Sequence, residues 1–135
     1  MTPRPLTDKL SVAAQIDPKD FSAIAEAGFT TVISNRPDSE VEPHLSSASM
    51  AHQAAQAGVQ YYYLPVVNGQ LDPRQVERFR EILETARGPV LAYCRSGTRS
   101  AMVWALGQAG KRPAEEIVEA ARQAGYDLTH LTAML

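Results

Sequence analysis

The single cysteine of this 135-residue chain lies in the segment Cys94-Arg95-Ser96-Gly97-Thr98-Arg99-Ser100, where residue types and spacing favour nucleophilic chemistry. Gly97 allows a tight backbone curl, and a helix is predicted to begin at Thr98. Amide N–H groups and the positive end of a helix dipole should therefore face the sulfur. Two arginines add positive charge, and each feature favours thiolate over thiol. We predict Cys94 and Arg99 as catalytic residues, and an anion-binding loop made of Arg95, Ser96, Gly97, Thr98 and Ser100.

A lone cysteine is more often a small buried apolar side chain than a nucleophile. Here two arginines and three small polar residues follow it closely, which makes a poor apolar environment, and we favour the functional interpretation. The same loop would also suit a protein that binds an anion or senses redox state without turnover. That non-enzymatic module stays open as an alternative.

Short apolar segments alternate with helical patterns along the chain. Strands are predicted over 10–14, 30–34, 59–67 and 90–93, with a turn at Asn68-Gly69. Helices are predicted over 18–27, 47–57 (or from 49), 73–87, 98–108, 113–124 and 127–134. This alternation predicts an α/β fold, a single domain with a central, mostly parallel sheet flanked by helices. Residues 1–9 are predicted as a loose N-terminal arm, and residues 10–135 as the domain.

Ligands of parallel sheets bind at the carboxyl ends of the strands, which selects the loops after Ser34, Val67 and Tyr93. The first loop contains Arg36, a possible guide for an anion. The second contains Asp72, the sole carboxylate over 68–72. Asp72 could be a weak general acid, but because Pro73 follows it, a helix cap explains it better.

Composition excludes several classes of protein. Thirteen basic and fifteen acidic side chains give a net charge of −2, which disfavours nucleic acid as a partner. No apolar run approaches the roughly 20 residues of a membrane span, and the first ten residues do not resemble a signal peptide. The three histidines share no ligand spacing. We therefore expect a cytoplasmic protein with no membrane partner, no metal and no cofactor.

Several segments resemble one known family. They are Ala14-Gln15, the run TVISNRPD over 31–38, Tyr63-Leu64-Pro65-Val66, and Gly88-Pro89-Val90 with the Cys94 loop. Together, from about Leu10 to Gly110, they resemble the phosphatase-like domain of beta-lactamase-hydrolase-like proteins. The resemblance implies the fold of cysteine-dependent, dual-specificity-like phosphatases. It also implies a link to sulfide handling, with a persulfide dioxygenase as a partner. The run Cys-Arg-x-Gly separately resembles the active-site loop of rhodanese-like sulfurtransferases.

The loop departs from the phosphatase signature, which is His-Cys, five residues, then Arg. Tyr93 replaces the histidine, and only four residues separate Cys94 from Arg99. A smaller ring of amides should suit a single sulfur atom, and thiolate leaving groups need no general acid. The leading prediction is therefore a sulfurtransferase that passes sulfane sulfur from thiosulfate or a persulfide to a thiol acceptor through a Cys94 persulfide.

The alternative is a cysteine-dependent phosphatase of the tyrosine or dual-specificity type, acting on a phosphoester. In that mechanism Cys94 attacks phosphorus, Arg99 binds the phosphoryl oxygens, and Ser100 aids breakdown of the thiophosphate. The two chemistries use the same loop but differ in the size of the group that it must hold. The sequence therefore favours one without excluding the other.

Overall fold

The computed structural model describes residues 1–68 and 70–135, and its five strands form one sheet in the order β1-β2-β5-β3-β4. The strands are β1 (Arg4–Pro5), β2 (Leu10–Ala13), β3 (Thr31–Ser34), β4 (Gln60–Tyr63) and β5 (Val90–Tyr93). β2, β5, β3 and β4 run parallel to one another, and β1 pairs antiparallel with β2. The predicted α/β fold with a mostly parallel central sheet is confirmed.

The strands end in register, which brings their following loops together. Tyr93 at the end of β5 pairs with Ala13 of β2 and Ser34 of β3, and Ser34 pairs with Tyr63 of β4. The predicted third strand was too long, because β4 ends at Tyr63 rather than Val67. A proline at position 65 lacks the N–H that a ladder needs. Of the predicted turn at Asn68-Gly69, Gly69 lies outside the described residues.

The helices are α1 (Phe21–Glu26), α2 (Ser47–Gln56), α3 (Pro73–Thr85), α4 (Thr98–Gln108) and α5 (Ala114–Gln123). Short 3-10 helices cover Pro18–Asp20, Asp38–Glu40, Pro43–Leu45 and Thr129–Met134. The last of these replaces the predicted helix over 127–134: the Asp127 carboxylate accepts from the N–H and hydroxyl of Thr129, at 3.0 and 2.7 Å, and holds its start. In the described part of the chain, no helix is long and apolar enough to cross a bilayer.

Helices cover the sheet on both faces. On one face, Phe21, Ile24 and Met50 from α1 and α2 pack with Leu91 of β5. On the other face, α3, α4 and α5 enclose a larger cluster that contains Trp104. All four residues of β5 are buried, as expected for a central strand of a parallel sheet with both faces covered. Cys94 therefore directly follows a strand whose four residues are all buried.

The amino-terminal residues belong to the sheet, which corrects the prediction of a loose arm over 1–9. Arg4 and Pro5 pair with Val12 and Ser11 of β2, and Leu6 is buried in the main core. Proline is tolerated on an edge strand because its missing N–H can face outward. The prolines in this segment led to the prediction of an irregular arm. In the fold, the same segment forms the edge strand of the sheet.

Candidate active site

Cys94 lies in the turn between the end of β5 and the start of α4. It is buried, with 1% of its surface exposed, yet its sulfur contacts a polar group: the Gly97 N–H donates to Sγ at 3.1 Å. Gly97 has a φ of 95°, in the left-handed region that only glycine adopts freely. The curl therefore directs a backbone donor at the sulfur.

The rest of the loop is held by hydrogen bonds within the loop and by one to the residue stretch that follows β2. The Ser96 hydroxyl donates to Thr98 Oγ1 at 3.0 Å and accepts from the Thr98 N–H at 3.4 Å. The carbonyl of Arg95 accepts from the N–H of Gln15, just after β2, at 3.2 Å, while the Arg95 residue is exposed. The loop is thus fixed to the neighbouring strand, and one arginine is left at its surface.

Arg99, in the first turn of α4, binds two loops that follow other strands. Its Nη1 and Nη2 donate to the two carboxylate oxygens of Glu40 at 2.8 and 2.7 Å, and Nη1 also donates to the Val66 carbonyl at 2.7 Å. The bond to Glu40 raises the pKa of Arg99, and the charge of Cys94 raises it further. Reciprocally, the Arg99 bond lowers the pKa of Glu40. A permanent positive charge therefore acts on the sulfur.

Arg36, predicted as an anion guide, lies beside the same carboxylate. Its Nη2 donates to the Glu40 carbonyl at 3.1 Å, its Nε lies 3.5 Å from Glu40 Oε1, and its Nη1 donates to Gln15 Oε1 at 3.1 Å. The guanidinium groups of Arg36 and Arg99 thus share the carboxylate of Glu40. The excess positive charge of this cluster suits an anionic ligand.

Ser100 lies under the loop rather than in front of it. It is fully buried, and its hydroxyl donates to Asn35 Oδ1 at 2.8 Å. The Asn35 amide in turn donates to the Leu64 carbonyl at 2.9 Å, and the Asn35 N–H donates to the Tyr93 carbonyl at 2.8 Å. This network joins the ends of three strands beneath Cys94. The Ser100 hydroxyl is therefore already engaged as a structural donor.

Asp72 is the N-cap of α3. Its Oδ1 accepts from the Arg74 N–H at 2.9 Å, and its Oδ2 lies 3.1 Å from Arg74 Nη2. These contacts lower the pKa of Asp72, so the carboxylate is ionised at neutral pH and has no proton to give. The geometry fits the cap interpretation and offers no support for a general acid.

Tyr93 occupies the position of the signature histidine. It is buried, and its hydroxyl lies 2.8 Å from that of Tyr61. Burial raises the pKa of both phenols, so both stay protonated at neutral pH. Among the described residues no group of three histidine, cysteine or acidic side chains could hold a metal ion.

Three residues of the site were missed by sequence reasoning: Glu40, Asn35 and Tyr126. Glu40 lies four residues after Arg36, a spacing typical of an ion pair, and that was an available signal. Asn35 was noted in the sequence only as one residue of the segment over 31–38 that resembles the family, and no role was predicted for it. Tyr126, whose hydroxyl donates to the Ser96 carbonyl at 3.1 Å, lies 30 residues downstream and had no local signal.

The chain is similar in fold to solved structures that include a candidate phosphatase and a phosphatase. A candidate phosphatase of Neisseria meningitidis Z2491 superposes with a TM-score of 0.84 at 35% identity, over 96% of this chain and 93% of that one. The kinase associated phosphatase, at 16% identity, shares the fold, with a TM-score of 0.75 over 91% and 80% of the two chains.

These structures overturn the prediction of a sulfurtransferase, which was wrong, and the predicted sulfur donor, thiol acceptor and persulfide dioxygenase lose their support with it. The error came from using the spacing between Cys94 and Arg99 as a measure of the size of the site. The position of the Arg99 guanidinium is set by Glu40 and Val66 on other loops, so the length of its own loop does not decide what it binds.

The family comparison covers most of the chain. The family described as "Beta-lactamase hydrolase-like protein, phosphatase-like domain" matches residues 3–111. Beta-lactamase hydrolase-like proteins of Agrobacterium fabrum and Xylella fastidiosa Temecula1 are 29% and 31% identical over 132 and 127 residues, which are 96% and 91% of this chain. The chain spans only 31% and 29% of their lengths. The chain belongs to the phosphatase-like domain family of beta-lactamase hydrolase-like proteins.

Proposed function

We propose that this protein is a cysteine-dependent phosphatase that hydrolyses phosphomonoesters through a phosphocysteine at Cys94. The observation that carries the proposal is the pairing of a buried sulfur with a backbone donor and a fixed cation: the Gly97 N–H lies 3.1 Å from Sγ, and Arg99 is buried beside it with a raised pKa due to Glu40 and then Cys94. The family and the fold both support the same chemistry.

In the first step the Cys94 thiolate attacks phosphorus. An S–P bond forms while the P–O ester bond breaks, and the electron pair leaves on the ester oxygen. Negative charge then spreads over the three equatorial oxygens. Donors for those oxygens come from amide N–H groups of the loop, from the amino end of α4, and from the Arg99 N–H groups that do not bind Glu40 or Val66.

In the second step a water molecule attacks the phosphocysteine. The new P–O bond forms as the S–P bond breaks, which restores the thiolate and releases inorganic phosphate. The proton of the water passes to the phosphate or to solvent. Ser100, proposed earlier to aid this step, donates its hydroxyl to Asn35. It therefore contributes by holding the loop.

The protonation states of Asp72 and Glu40 bear on the substrate class. Asp72 and Glu40 both have lowered pKa values, due to Arg74 and Arg99 respectively, so neither holds a proton for a leaving alkoxide at neutral pH. A phenolate leaves without one. We therefore propose aryl phosphates, including phosphotyrosine, as substrates. The structurally similar TpbA of Pseudomonas aeruginosa, 20% identical with a TM-score of 0.63, has been solved in complex with pTyr.

The test compares an aryl phosphate with an alkyl phosphate, using wild type and Cys94→Ser. We expect phosphate release from the aryl ester only, and loss of release in Cys94→Ser. Intact-protein mass spectrometry after acid quench should show one phosphoryl group on wild type. The Arg87→Ala variant, which changes an exposed arginine before the amino end of β5, at the opposite end of the sheet from the loop, serves as a matched control. Turnover that survives in Cys94→Ser, or wild type inactive on every aryl phosphate tested, would overturn the proposal.

A further inference from the structure

The peptide unit that joins Ser96 to Gly97 is held at both ends. Its N–H donates to Cys94 Sγ at 3.1 Å, and its carbonyl accepts from the hydroxyl of Tyr126 at 3.1 Å. In a trans peptide the N–H and the carbonyl lie in one plane and point in opposite directions. A group that holds the carbonyl on the outside of the loop therefore also holds the N–H on the inside, against the sulfur.

Tyr126 approaches this peptide very closely. A Cβ added at Gly97 would lie 2.1 Å from the Tyr126 hydroxyl oxygen and 3.3 Å from the carbonyl of Ala13. The Tyr126 residue itself is buried, with 8% of its surface exposed. Gly97 is thus required for two reasons, its positive φ and the space that the phenol occupies. The contact between Tyr126 and the loop is consequently tight and specific.

The phenol is available as a donor at neutral pH. Burial raises the pKa of Tyr126, the charge of Cys94 raises it further, and Arg4 opposes both effects. The net direction is upward from an ordinary value of about 10, so the hydroxyl keeps its proton where the enzyme would work. A protonated phenol can donate to the Ser96 carbonyl, and a phenolate could not.

The ring is held in place from the amino-terminal strand. The Arg4 guanidinium lies 5.7 Å from the centroid of the Tyr126 ring, and its Nη1 donates to the Ala124 carbonyl at 3.2 Å. The Tyr126 N–H donates to the Ala121 carbonyl at 2.8 Å. Tyr126 lies beyond residues 3–111, the part of the chain that the family comparison covers, so that match assigns it no role.

We propose that Tyr126 is a positioning residue for the nucleophile, whose hydroxyl holds the Ser96–Gly97 peptide so that the Gly97 N–H faces Cys94 Sγ. Without that hydroxyl the peptide can rotate and turn its carbonyl toward the sulfur. A carbonyl dipole facing the sulfur disfavours the thiolate and removes one donor for the phosphoryl oxygens. The kinetic consequence rests on the proposed phosphatase function, whereas the geometry of the loop does not.

The test uses Tyr126→Phe in the full chain, which keeps the ring and removes the hydroxyl. The matched control is Tyr62→Phe on β4, because the Tyr62 ring also has an arginine over it, Arg78 at 5.5 Å. Tyr62 lines a cavity with Thr30 and Gln60, by the amino ends of the strands. Three quantities are measured in each variant: the Gly97 amide signal in a ¹H–¹⁵N spectrum, the alkylation rate of Cys94 against pH, and aryl phosphate kinetics.

We expect Tyr126→Phe to move the Gly97 amide signal and to shift Cys94 alkylation to higher pH. It should also lower kcat by about tenfold, the equivalent of one hydrogen bond, with a smaller change in KM. Tyr62→Phe should leave all three unchanged. A Tyr126→Phe protein with the wild-type amide signal and alkylation profile, or with changes equal to those of Tyr62→Phe, would overturn the proposal. If wild type hydrolyses no phosphate, the amide signal and the alkylation profile still decide the role of Tyr126.

Discussion

Glu40 binds Arg99 through both carboxylate oxygens, at 2.8 and 2.7 Å, and joins the loop after β3 to the first turn of α4. A bidentate ion pair of this kind fixes the plane of the Arg99 guanidinium as well as its position. The Arg99 side chain is 8% exposed and the Glu40 side chain 29% exposed, so solvent screens the pair only in part. The pair therefore decides where positive charge lies relative to Cys94.

Glu40→Gln should destabilise the protein near neutral pH by about 1–2 kcal/mol, since it leaves the buried Arg99 without its charged partner. The pKa of Glu40 is lowered in the folded protein, chiefly by its bond to Arg99. Ionised Glu40 therefore stabilises the folded protein at pH values above about 4.3, the ordinary pKa of a glutamate side chain. That stabilisation is lost as the pH falls through the lowered pKa that Glu40 has in the folded protein.

Urea unfolding of wild type and Glu40→Gln between about pH 7 and pH 3 measures this contribution to the free energy of unfolding. The difference in unfolding free energy between the two proteins should become smaller as the pH is lowered. Glu42→Gln is the matched control, because the Glu42 side chain is 80% exposed. A difference between wild type and Glu40→Gln that stays constant with pH, or an equal effect of Glu42→Gln, would refute the role given to the ion pair.

Arg99→Ala should lower kcat/KM on an aryl phosphate by about 10- to 150-fold, because a charged hydrogen bond contributes roughly 1.5–3 kcal/mol. The physical reason is the loss of the guanidinium that faces the developing charge on the phosphoryl oxygens. Steady-state kinetics of Arg99→Ala and Arg95→Ala check this. Arg95 is exposed and keeps its backbone N–H when the side chain is removed, so an equal loss in the two variants would argue against a special role for Arg99.

Gly97→Ala should reduce stability by more than Gly28→Ala and should abolish turnover. The two glycines have nearly the same φ, 95° and 96°, so both variants place alanine in the left-handed region at a cost of about 1–2 kcal/mol. A Cβ at Gly28 meets nothing within 4 Å, whereas at Gly97 it meets the Tyr126 hydroxyl at 2.1 Å. Urea unfolding of both proteins isolates this contact, and equal destabilisation would show that the loop can move away from Tyr126.

Asp72→Asn should leave turnover and its pH profile unchanged. The amide keeps an oxygen that can accept from the Arg74 N–H, as Asp72 does at 2.9 Å, while the charge is removed. A general acid would behave differently, because its loss lowers kcat and removes the basic limb of the pH–rate profile. A large fall in kcat together with that change of profile would show that Asp72 donates the proton after all.

The sequence alone determined the α/β class, the alternation of strands and helices, and the position of the Cys94 loop between a strand and a helix. These features depend on short-range properties: apolar runs bounded by caps and glycines, and a cysteine placed between a strand and a helix. Cys94, Gly97 and Thr98 are close in sequence, so their geometry follows from the turn that they share. The resemblance to a phosphatase-like family rested on the same local segments.

Only the tertiary structure decided what surrounds that loop. Glu40 and Arg99 are 59 positions apart, Ser96 and Tyr126 are 30 apart, and neither pair has a pattern that the sequence displays. The loose arm predicted over residues 1–9 became an edge strand whose Arg4 supports Tyr126. The short spacing between Cys94 and Arg99 suggested a site for a single sulfur atom. Because Glu40 and Val66 on two other loops position Arg99, its guanidinium can still bind a phosphoryl group. Such contacts depend on which strands are neighbours in the sheet, because the strand order determines which loops lie side by side.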